Sequence, residues 1–453
     1  MPSKLSKAKA DALSILDAAL KAADPYLAVR NAVEVEGDIL RIFGEEFESR
    51  GRVYLLALGK AACAMSRAVA DLLGERIEGG VIVTKYGYAE NCPDIPNIRV
   101  IEAGHPVPDE NSLLAGKFGV ELAKKVGPED IIIVLISGGG SALFLLPEEG
   151  ISLGDKIRTN ELLLKSGAKI AEINTVRKHI SAVKGGKLAK RVRGMVISLI
   201  LSDVVGDPLE AIASGPTVKD PTTFQDAYRI LKLYNVWEKL PESVRRHIER
   251  GLRGEAEETL KEDLPNAHNF IVGSNSLACE AAKRKAEELG YNPEILTTTL
   301  EGEAREVALA VGSIVEEIAG YDRPLRKPAV LIAGGEWTVT IEGEAGLGGP
   351  NQEFALSVAR KIAGLKVVIL AADSDGTDGP TDAAGGIVDG ETLEKLKKAG
   401  IDVGEALKRH DSYRALERVG ALLKTGPTGT NVNSLVIAVV PDSAVHSRNP
   451  RDY

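Results

Sequence analysis

Cysteine is scarce in this sequence, and its three cysteines form no CxxC pair or other metal-binding spacing. Cys63, Cys92 and Cys279 are therefore expected to be reduced, as in a cytoplasmic protein, and not to bind a metal as thiolates. Methionine is equally scarce, whereas glutamate, lysine and arginine are abundant. This composition is typical of thermophilic proteins, which avoid labile residues and accumulate ion pairs.

The chain also lacks an apolar run of about 18 residues, the length needed to span a bilayer. The first 24 residues follow an amphipathic helical pattern, without the apolar core and cleavage site of a signal peptide. The net charge of −9 argues against nucleic acid as the main partner, because phosphate binding needs a basic surface. The sequence therefore predicts a cytoplasmic protein that binds neither membranes nor nucleic acids.

Buried strands are the main structural feature that is present. Uninterrupted apolar runs such as VYLLAL at 53–58, IIIVLI at 131–136 and KVVILAA at 366–372 alternate with helical stretches. Strands that are apolar at every position are buried on both faces. The pattern therefore predicts an α/β fold with a mainly parallel sheet covered by helices.

Two domains are expected, because 453 residues exceed the length of a typical single domain. The polar, charged stretch 241–266 has almost no strand pattern and separates two sets of strands. We predict a boundary near residue 255, with domains at 1–255 and 256–453.

A glycine-rich segment follows the strand at 131–136. It reads Ser137, Gly138, Gly139, Gly140, Ser141. In open α/β sheets, ligands bind beyond the carboxyl ends of the strands. Three consecutive glycines expose successive backbone N–H groups, and such nests bind anions. An oxyanion or phosphate site is favoured over a simple tight turn.

Lys60 follows the strand at 53–58 and opens a helix. A lysine at a helix N-terminus is unfavourable for the helix dipole unless an anion such as phosphate is bound beside it. A solvated lysine at a strand–helix turn is the equally weighted alternative.

Carboxylates follow several other strands. Asp203 and Asp207 lie in SDVVGDP, Asp375 and Asp378 lie in DSDGTDGPTD, and Glu336 comes after two glycines. Such acids either hold Mg²⁺, accept a proton from a substrate hydroxyl, or serve only as turn and capping residues. Asp203 is the best catalytic candidate, because it follows its strand by only one residue.

These loops together resemble the glycerate 2-kinases of the MOFRL type. The matching segments run in order from about residue 50 to 440, and they are LALGKAACAM, EAGHPVPDENS, LISGGGSALF, TVRKHISAVKGGKLA, LSDVVGDPLEAIASGPTVKDPTTF, AGGEWTVTI, GGPNQEFALS and AADSDGTDGPTDAAGGIVD. The resemblance implies ATP- and Mg²⁺-dependent phosphorylation of D-glycerate to 2-phosphoglycerate. It also implies a Rossmann-like N-terminal domain and a smaller α/β C-terminal domain, with the active site in the cleft between them.

The resemblance also implies roles for individual residues. Lys60 and Asp203 match the family's catalytic lysine and aspartate, and the Ser137–Ser141 segment is expected to bind the substrate. The residues assigned to the nucleotide are Lys184, Lys187, Glu336, Asn351 and Asp375, and those assigned to the metal are Asp207 and Asp378. Relatives often carry arginines where this chain has Leu347 and Pro350, so Lys184 or Lys187 is expected to replace them.

Two other functions are compatible with buried strands and glycine-rich ends. One is an NAD(P)-dependent hydroxy-acid oxidoreductase, against which the missing GxGxxG motif argues. The other is a non-enzymatic regulator that binds sugar phosphates, against which the lack of a basic helix-turn-helix argues. A homodimer is compatible with the sequence.

Overall fold

The computed structural model describes residues 4–442, and the chain divides into two compact units. Pro25–Val272 forms one, called the N-terminal unit, and Met1–Asp24 with Gly273–Tyr453 forms the other, the C-terminal unit. The predicted amphipathic helix at the start of the chain is present from Lys4, and the three residues before it lie outside the described range.

Helices and strands alternate along most of the described chain. The α-helices are α1 (Lys4–Ala22), α2 (Pro25–Ala32), α3 (Ala62–Leu73), α4 (Glu110–Lys125), α5 (Gly140–Leu143), α6 (Leu153–Lys165), α7 (Ile170–His179), α8 (Phe224–Leu233), α9 (Glu242–Leu252), α10 (Asn275–Glu288), α11 (Ala304–Tyr321), α12 (Pro350–Lys361), α13 (Thr392–Lys398), α14 (Val403–Lys408) and α15 (Ser412–Glu417). The strands are β1 (Val33–Glu36), β2 (Ile39–Ile42), β3 (Glu45–Glu48), β4 (Val53–Leu58), β5 (Ile77–Lys85), β6 (Ile98–Ala103), β7 (Ile131–Ile136), β8 (Met195–Leu201), β9 (Ala267–Gly273), β10 (Asn292–Glu303), β11 (Ala329–Thr338), β12 (Val368–Asp373), β13 (Gly385–Asp389), β14 (Leu422–Leu423) and β15 (Ser434–Val440).

The division between the units differs from the boundary predicted at residue 255. The charged stretch after residue 241 contains α9, whose apolar side packs into a hydrophobic cluster of the N-terminal unit through Val244 and Ile248. Its high charge belongs to the solvent-facing side of that helix. At the other end of the chain, α1 packs against α10 and therefore belongs to the C-terminal unit.

The main sheet of the N-terminal unit has the order β6-β5-β4-β7-β8-β9. The paired strands from β6 to β8 are parallel, as predicted, and β4 and β7 are buried at every residue. The chain moves outward from β4 to β6 and then returns to β7 on the other side of β4. This doubly wound order confirms the Rossmann-like prediction and creates a switch point between β4 and β7, where such folds bind ligands.

The sheet of the C-terminal unit is mixed, with the order β10-β11-β15-β12-β13-β14. Only the β10–β11 pair is parallel, and the other paired strands are antiparallel. Apolar runs show that strands are covered on both faces, but they do not encode strand direction. Helices α11 and α12 supply much of this unit's core, including Val315, Ile318 and Phe354.

Cys63 and Cys92 form a disulfide in the structure, so the expectation that all three cysteines are reduced was wrong. Cys63 lies in the first turn of α3, after β4, and Cys92 lies beyond the carboxyl end of the neighbouring strand β5. The fold brings them together although 29 positions separate them in the sequence. No helix within residues 4–442 is long and apolar enough to cross a bilayer.

Reduction should lower the stability of the protein by removing this crosslink. In the chain-entropy model, closing a loop of this length contributes about 3.6 kcal/mol. Urea unfolding with and without dithiothreitol should show that loss in the wild type and no effect of reductant on Cys92→Ser. Cys279→Ser is the matched control, because Cys279 is buried and unpaired, and it should keep the sensitivity to reductant. An equal free energy of unfolding of the wild type with and without dithiothreitol would contradict the presence of this disulfide.

Candidate active site

The loops after β4 and β7 meet at the switch point and are tied by their backbones. The N–H of Lys60 donates to the carbonyl of Gly138 at 2.9 Å, and the N–H of Ala61 donates to Ser137 Oγ at 3.1 Å. Ser137 is buried, and its own amide donates to the carbonyl of Leu58 at 3.0 Å. Lys60 and Ser137 are 77 positions apart in the sequence. The hydrogen bonds between their loops hold both loops together as one surface.

The glycines of the β7 loop allow three functional side chains to approach its backbone. A Cβ at Gly138 would overlap the carboxylate of Asp203. A Cβ at Gly139, whose φ is 84°, would lie 3.0 Å from Cδ2 of His105 and 3.5 Å from Cγ of Lys60. The structure therefore brings together Lys60, Asp203 and the glycine segment, as the sequence predicted. His105 is an addition that its sequence signal, a lone histidine in a turn-rich loop, was too weak to establish.

Burial and charge set the protonation states at this surface. Burial raises the pKa of the Asp203 carboxyl, and the nearby Lys60 ammonium partly opposes that rise. Burial lowers the pKa of His105, and the charges of Lys60 and Lys85 lower it further. The site therefore presents a cation, a neutral imidazole and a carboxylate that accepts protons more readily than an exposed aspartate.

The other predicted residues of the N-terminal unit occupy different positions. Asp207 lies in the turn after Asp203, with a left-handed backbone at φ 54°. Lys184 is buried and donates from Nζ to Ser141, and Lys187 is buried and donates to Glu148 at 2.5 Å. Both lysines are thus bonded inside the N-terminal unit, and a nucleotide contact of either stays a prediction.

In the C-terminal unit, Asp378 anchors the start of α12. Its carboxylate accepts the backbone N–H groups of Asn351 at 2.9 Å and Gln352 at 2.8 Å, which stabilises the positive end of the helix dipole. The side-chain amide of Asn351 donates to Asp378 at 3.1 Å and to Ser434 Oγ at 2.9 Å. Burial nevertheless raises the pKa of Asp378 to about 6. Asp378 and Asn351 therefore hold the local fold, and any ligand role for them is additional.

Negative charge is concentrated at the end of β12. Burial, reinforced by Asp375, Asp378 and Glu336, raises the pKa of Asp373 to about 7. Glu336 lies within β11 rather than after it, because that strand runs through Gly334 and Gly335 to Thr338. The loop carrying Asp375 is held against the 425–431 loop by the N–H of Thr428, which donates to the Asp375 carbonyl at 3.2 Å. Asp373 belongs to the acidic DSDGTDGPTD segment but is not among the residues assigned above to nucleotide or metal, and its pKa is the most strongly raised of the group.

The carboxylates fit Mg²⁺ only as a metal that arrives with phosphates. Within residues 4–442 no group of three histidine, cysteine or acidic side chains could hold a metal by itself. Mg²⁺ commonly takes one or two protein carboxylates, with substrate phosphates and water completing its shell. Burial and the neighbouring acids disfavour the ionised form of Asp373, and a cation bound beside it would favour that form. The predicted ligands Asp207 and Asp378 belong to different units, and their metal role stays a prediction.

Replacing Asp373 by asparagine should stabilise the protein at alkaline pH. An acid whose pKa is higher in the folded than in the unfolded state destabilises the fold as pH rises from about 4, and fully above about 7. Asp373→Asn should therefore gain up to about 4 kcal/mol in the free energy of unfolding at pH 8 and less than about 1 kcal/mol at pH 4, measured by urea titration.

Asp382→Asn is the control, because the exposed Asp382 carboxylate is paired with Lys424 at 2.8 Å and should give no gain. A loss of stability in Asp373→Asn at pH 8 would contradict the raised pKa of Asp373.

The matches to known proteins extend over both units of the chain. Residues 11–249 match the family model described as a domain of unknown function (DUF4147), and residues 329–434 match the MOFRL family. The glycerate 2-kinase of Pyrococcus horikoshii is 64% identical over 94% of this chain and 96% of that protein. A putative hydroxypyruvate reductase of Agrobacterium vitis is 41% identical over 93% of this chain and 92% of that protein.

A solved structure of a glycerate kinase from Thermotoga maritima superposes with a TM-score of 0.86 at 45% identity. The match covers 95% of this chain and 99% of that one, so it extends over both units. The chain belongs to the MOFRL-type glycerate kinase family.

Proposed function

We propose that the protein transfers the γ-phosphoryl group of ATP to the C2 hydroxyl of D-glycerate, forming 2-phosphoglycerate. The observation that carries this proposal is the meeting of Lys60, Asp203 and the Ser137–Ser141 loop at the switch point. Phosphoryl transfer depends on positioning and charge neutralisation rather than on covalent chemistry by the protein. A cation, a proton acceptor and an anion-binding backbone are the three parts that this reaction requires.

Glycerate binds on the Ser137–Ser141 loop in this proposal. The backbone already uses the N–H groups of Ser137 and Gly140, so those of Gly138, Gly139 and Ser141 are the ones proposed to bind the substrate carboxylate. Asp203, which approaches Gly138, then faces the substrate hydroxyls. Its raised pKa suits it to accept the proton of the C2 hydroxyl as that oxygen attacks phosphorus. The neutral imidazole of His105, beside Gly139, offers a further hydrogen-bonding partner to the substrate.

Lys60 stabilises the negative charge of the transferring phosphoryl group. Its backbone is fixed by the hydrogen bond to Gly138, so its side chain starts from a defined position at the substrate loop. Preorganised charges of this kind contribute more in a water-excluding site than in solvent.

The nucleotide is proposed to use the acidic and glycine-rich loops of the C-terminal unit. Asp373 and Asp375 are the carboxylates that would hold Mg²⁺, because the carboxylate of Asp378 is already occupied by the start of α12. Mg²⁺, when bound, neutralises phosphate oxygens of the nucleotide. Glu336 adds negative charge to the same group and favours a cation there.

An NAD(P)-dependent reductase is the alternative that the name of the Agrobacterium relative suggests. The turn after β4 reads Gly59-Lys60-Ala61-Ala62 and lacks the glycine spacing that lets a dinucleotide pyrophosphate approach a helix. The lysine at that turn favours phosphoryl transfer. Oxidation of NADH by hydroxypyruvate, without any ATP-dependent turnover of glycerate, would favour the reductase instead.

Lys60→Ala should reduce kcat for glycerate phosphorylation by about 10²- to 10³-fold, the usual effect of removing one group that stabilises transition-state charge. A coupled assay for ADP release measures the rate, and circular dichroism checks that the variant is folded. Lys124→Ala, at the C-terminal end of α4, is the matched control and should keep full activity. Near-normal turnover in folded Lys60→Ala would remove this lysine from the mechanism.

Asp203→Asn should lower kcat by about 10²- to 10⁴-fold, because the proton acceptor is lost. In the wild type, kcat should fall as pH drops through the raised pKa of Asp203, since only the ionised carboxylate accepts a proton. The variant should lose that acidic limb.

Asp207→Asn tests the neighbouring acid: it should keep the acidic limb, and if Asp207 binds metal it should need more Mg²⁺. An acidic limb that persists unchanged in Asp203→Asn would rule out the proton role of Asp203.

A further inference from the structure

A buried lysine lies under the substrate loop. The Lys184 side chain is 2% exposed, and its Nζ donates to both the carbonyl oxygen and Oγ of Ser141, each at 2.8 Å. Ser141 Oγ also lies 3.0 Å from Oγ of Ser214. Ser141 itself is only half-buried, so this network connects the interior of the N-terminal unit to the exposed part of the loop.

The charged groups nearest to Lys184 are mostly cations. Lys156 and Lys187 are buried near it, and Arg177 is mostly enclosed. The carboxylate of this group, Glu148, is bonded to Lys187, while Lys156 donates to the carbonyl of Arg177 at 3.0 Å. Burial, with a smaller effect of Arg177, lowers the pKa of Lys184 to about 7. A buried ammonium that faces only neutral oxygens favours the arrival of an anion nearby.

The backbone around Ser214 is strained in a way that aims its hydroxyl at Ser141. Ala213 and Ser214 have φ values of 50° and 61°, in the left-handed region that non-glycine residues rarely adopt. Two hydrogen bonds hold this conformation: the N–H of Gly185 donates to the Ser214 carbonyl at 3.0 Å, and that of Gly186 to the Gly215 carbonyl at 2.7 Å. The same segment therefore carries Lys184 and fixes Ser214.

The hydrogen-bonding capacity of Ser141 gives this network a direction. A serine hydroxyl has one donor and two acceptor positions. When Lys184 and Ser214 both donate to Ser141 Oγ, its acceptor positions are filled and its proton points toward the loop's ligand. Ser141 then acts only as a donor, which selects an anionic acceptor over a neutral hydroxyl.

We propose that Lys184 is a positioning residue for the substrate carboxylate: with Ser214 it orients the Ser141 hydroxyl toward that carboxylate, whose binding draws a proton onto Lys184. The inference rests on the proposed binding of glycerate to the Ser137–Ser141 loop. Neutral Lys184 takes up the proton from solvent, and no covalent bond is made or broken. Carboxylate binding and protonation of Lys184 are thus coupled, and glycerate affinity should weaken as pH rises above about 7.

Titration calorimetry of D-glycerate at pH 8, in two buffers of different ionisation enthalpy, tests this coupling. The wild type should take up a fraction of a proton for each glycerate bound, and Lys184→Met should lose this uptake and bind glycerate about tenfold more weakly. Glycerol, which lacks the carboxylate, should cause no uptake. The KM for ATP should be unchanged in the variant.

Lys190→Met is the matched control, because Lys190 lies in the same segment but is exposed and paired with Glu257 at 2.6 Å. It should keep the wild-type proton uptake and affinity. If Lys184→Met does not fold, Ser214→Ala decides the question: it keeps the lysine and should still weaken glycerate binding with an unchanged KM for ATP.

Unchanged affinity and proton uptake in folded Lys184→Met, or unchanged affinity in Ser214→Ala, would overturn the inference alone. A wild type that neither binds nor phosphorylates glycerate would overturn the proposed function as well.

Discussion

The close approach of the Ser137–Ser141 backbone to the side chains around it is the constraint on which the site depends. A side chain at Gly138 would displace Asp203, and one at Gly139 would press on His105. A side chain at Gly140 would lie 2.6 Å from Leu58 Cδ1, in the core beneath the loop. The glycines therefore determine both the exposed anion-binding surface and the distance of each functional group from it.

Each unit buries an ionisable group whose charged form is disfavoured in the free protein. In the N-terminal unit, burial and then the charge of Arg177 lower the pKa of Lys184, which lies under the glycine loop, to about 7. In the C-terminal unit, burial raises the pKa of Asp373 to about 7, with a smaller effect of the acids around it. Both arrangements destabilise the free protein, and both would be relieved by the ligands of a kinase: an anionic substrate and a phosphate-bound cation.

Much of the architecture was predictable because both-face burial leaves a clear pattern. The runs that became β4 and β7 are apolar throughout, and the loops following them contain Lys60 and the glycine segment. Strand direction in the C-terminal unit was not predictable, since antiparallel strands that are covered on both faces have the same apolar pattern. The Cys63–Cys92 bond was also missed, because it depends on β4 and β5 being neighbours and not on local spacing.

The chemistry of single side chains was harder to predict than their location. From the sequence, Lys184 and Lys187 were predicted to bind the nucleotide. Their burial and their hydrogen bonds to Ser141 and Glu148 could not be predicted, because these contacts form only in the folded chain. The sequence predicted Asp378 as a metal ligand, which stays a prediction, but did not show that its carboxylate holds the start of α12. The pKa of Asp373 likewise depends on burial and on three acids that the fold brings near it.

Phosphorus NMR of the reaction product tests the central claim most directly. The purified protein would be incubated with D-glycerate, ATP and Mg²⁺, and the product resonance compared with authentic 2- and 3-phosphoglycerate. The account predicts ATP-dependent formation of 2-phosphoglycerate. Formation of 3-phosphoglycerate would contradict the assignment of the C2 hydroxyl to Asp203, and the absence of any phosphorylated glycerate would contradict the proposed function.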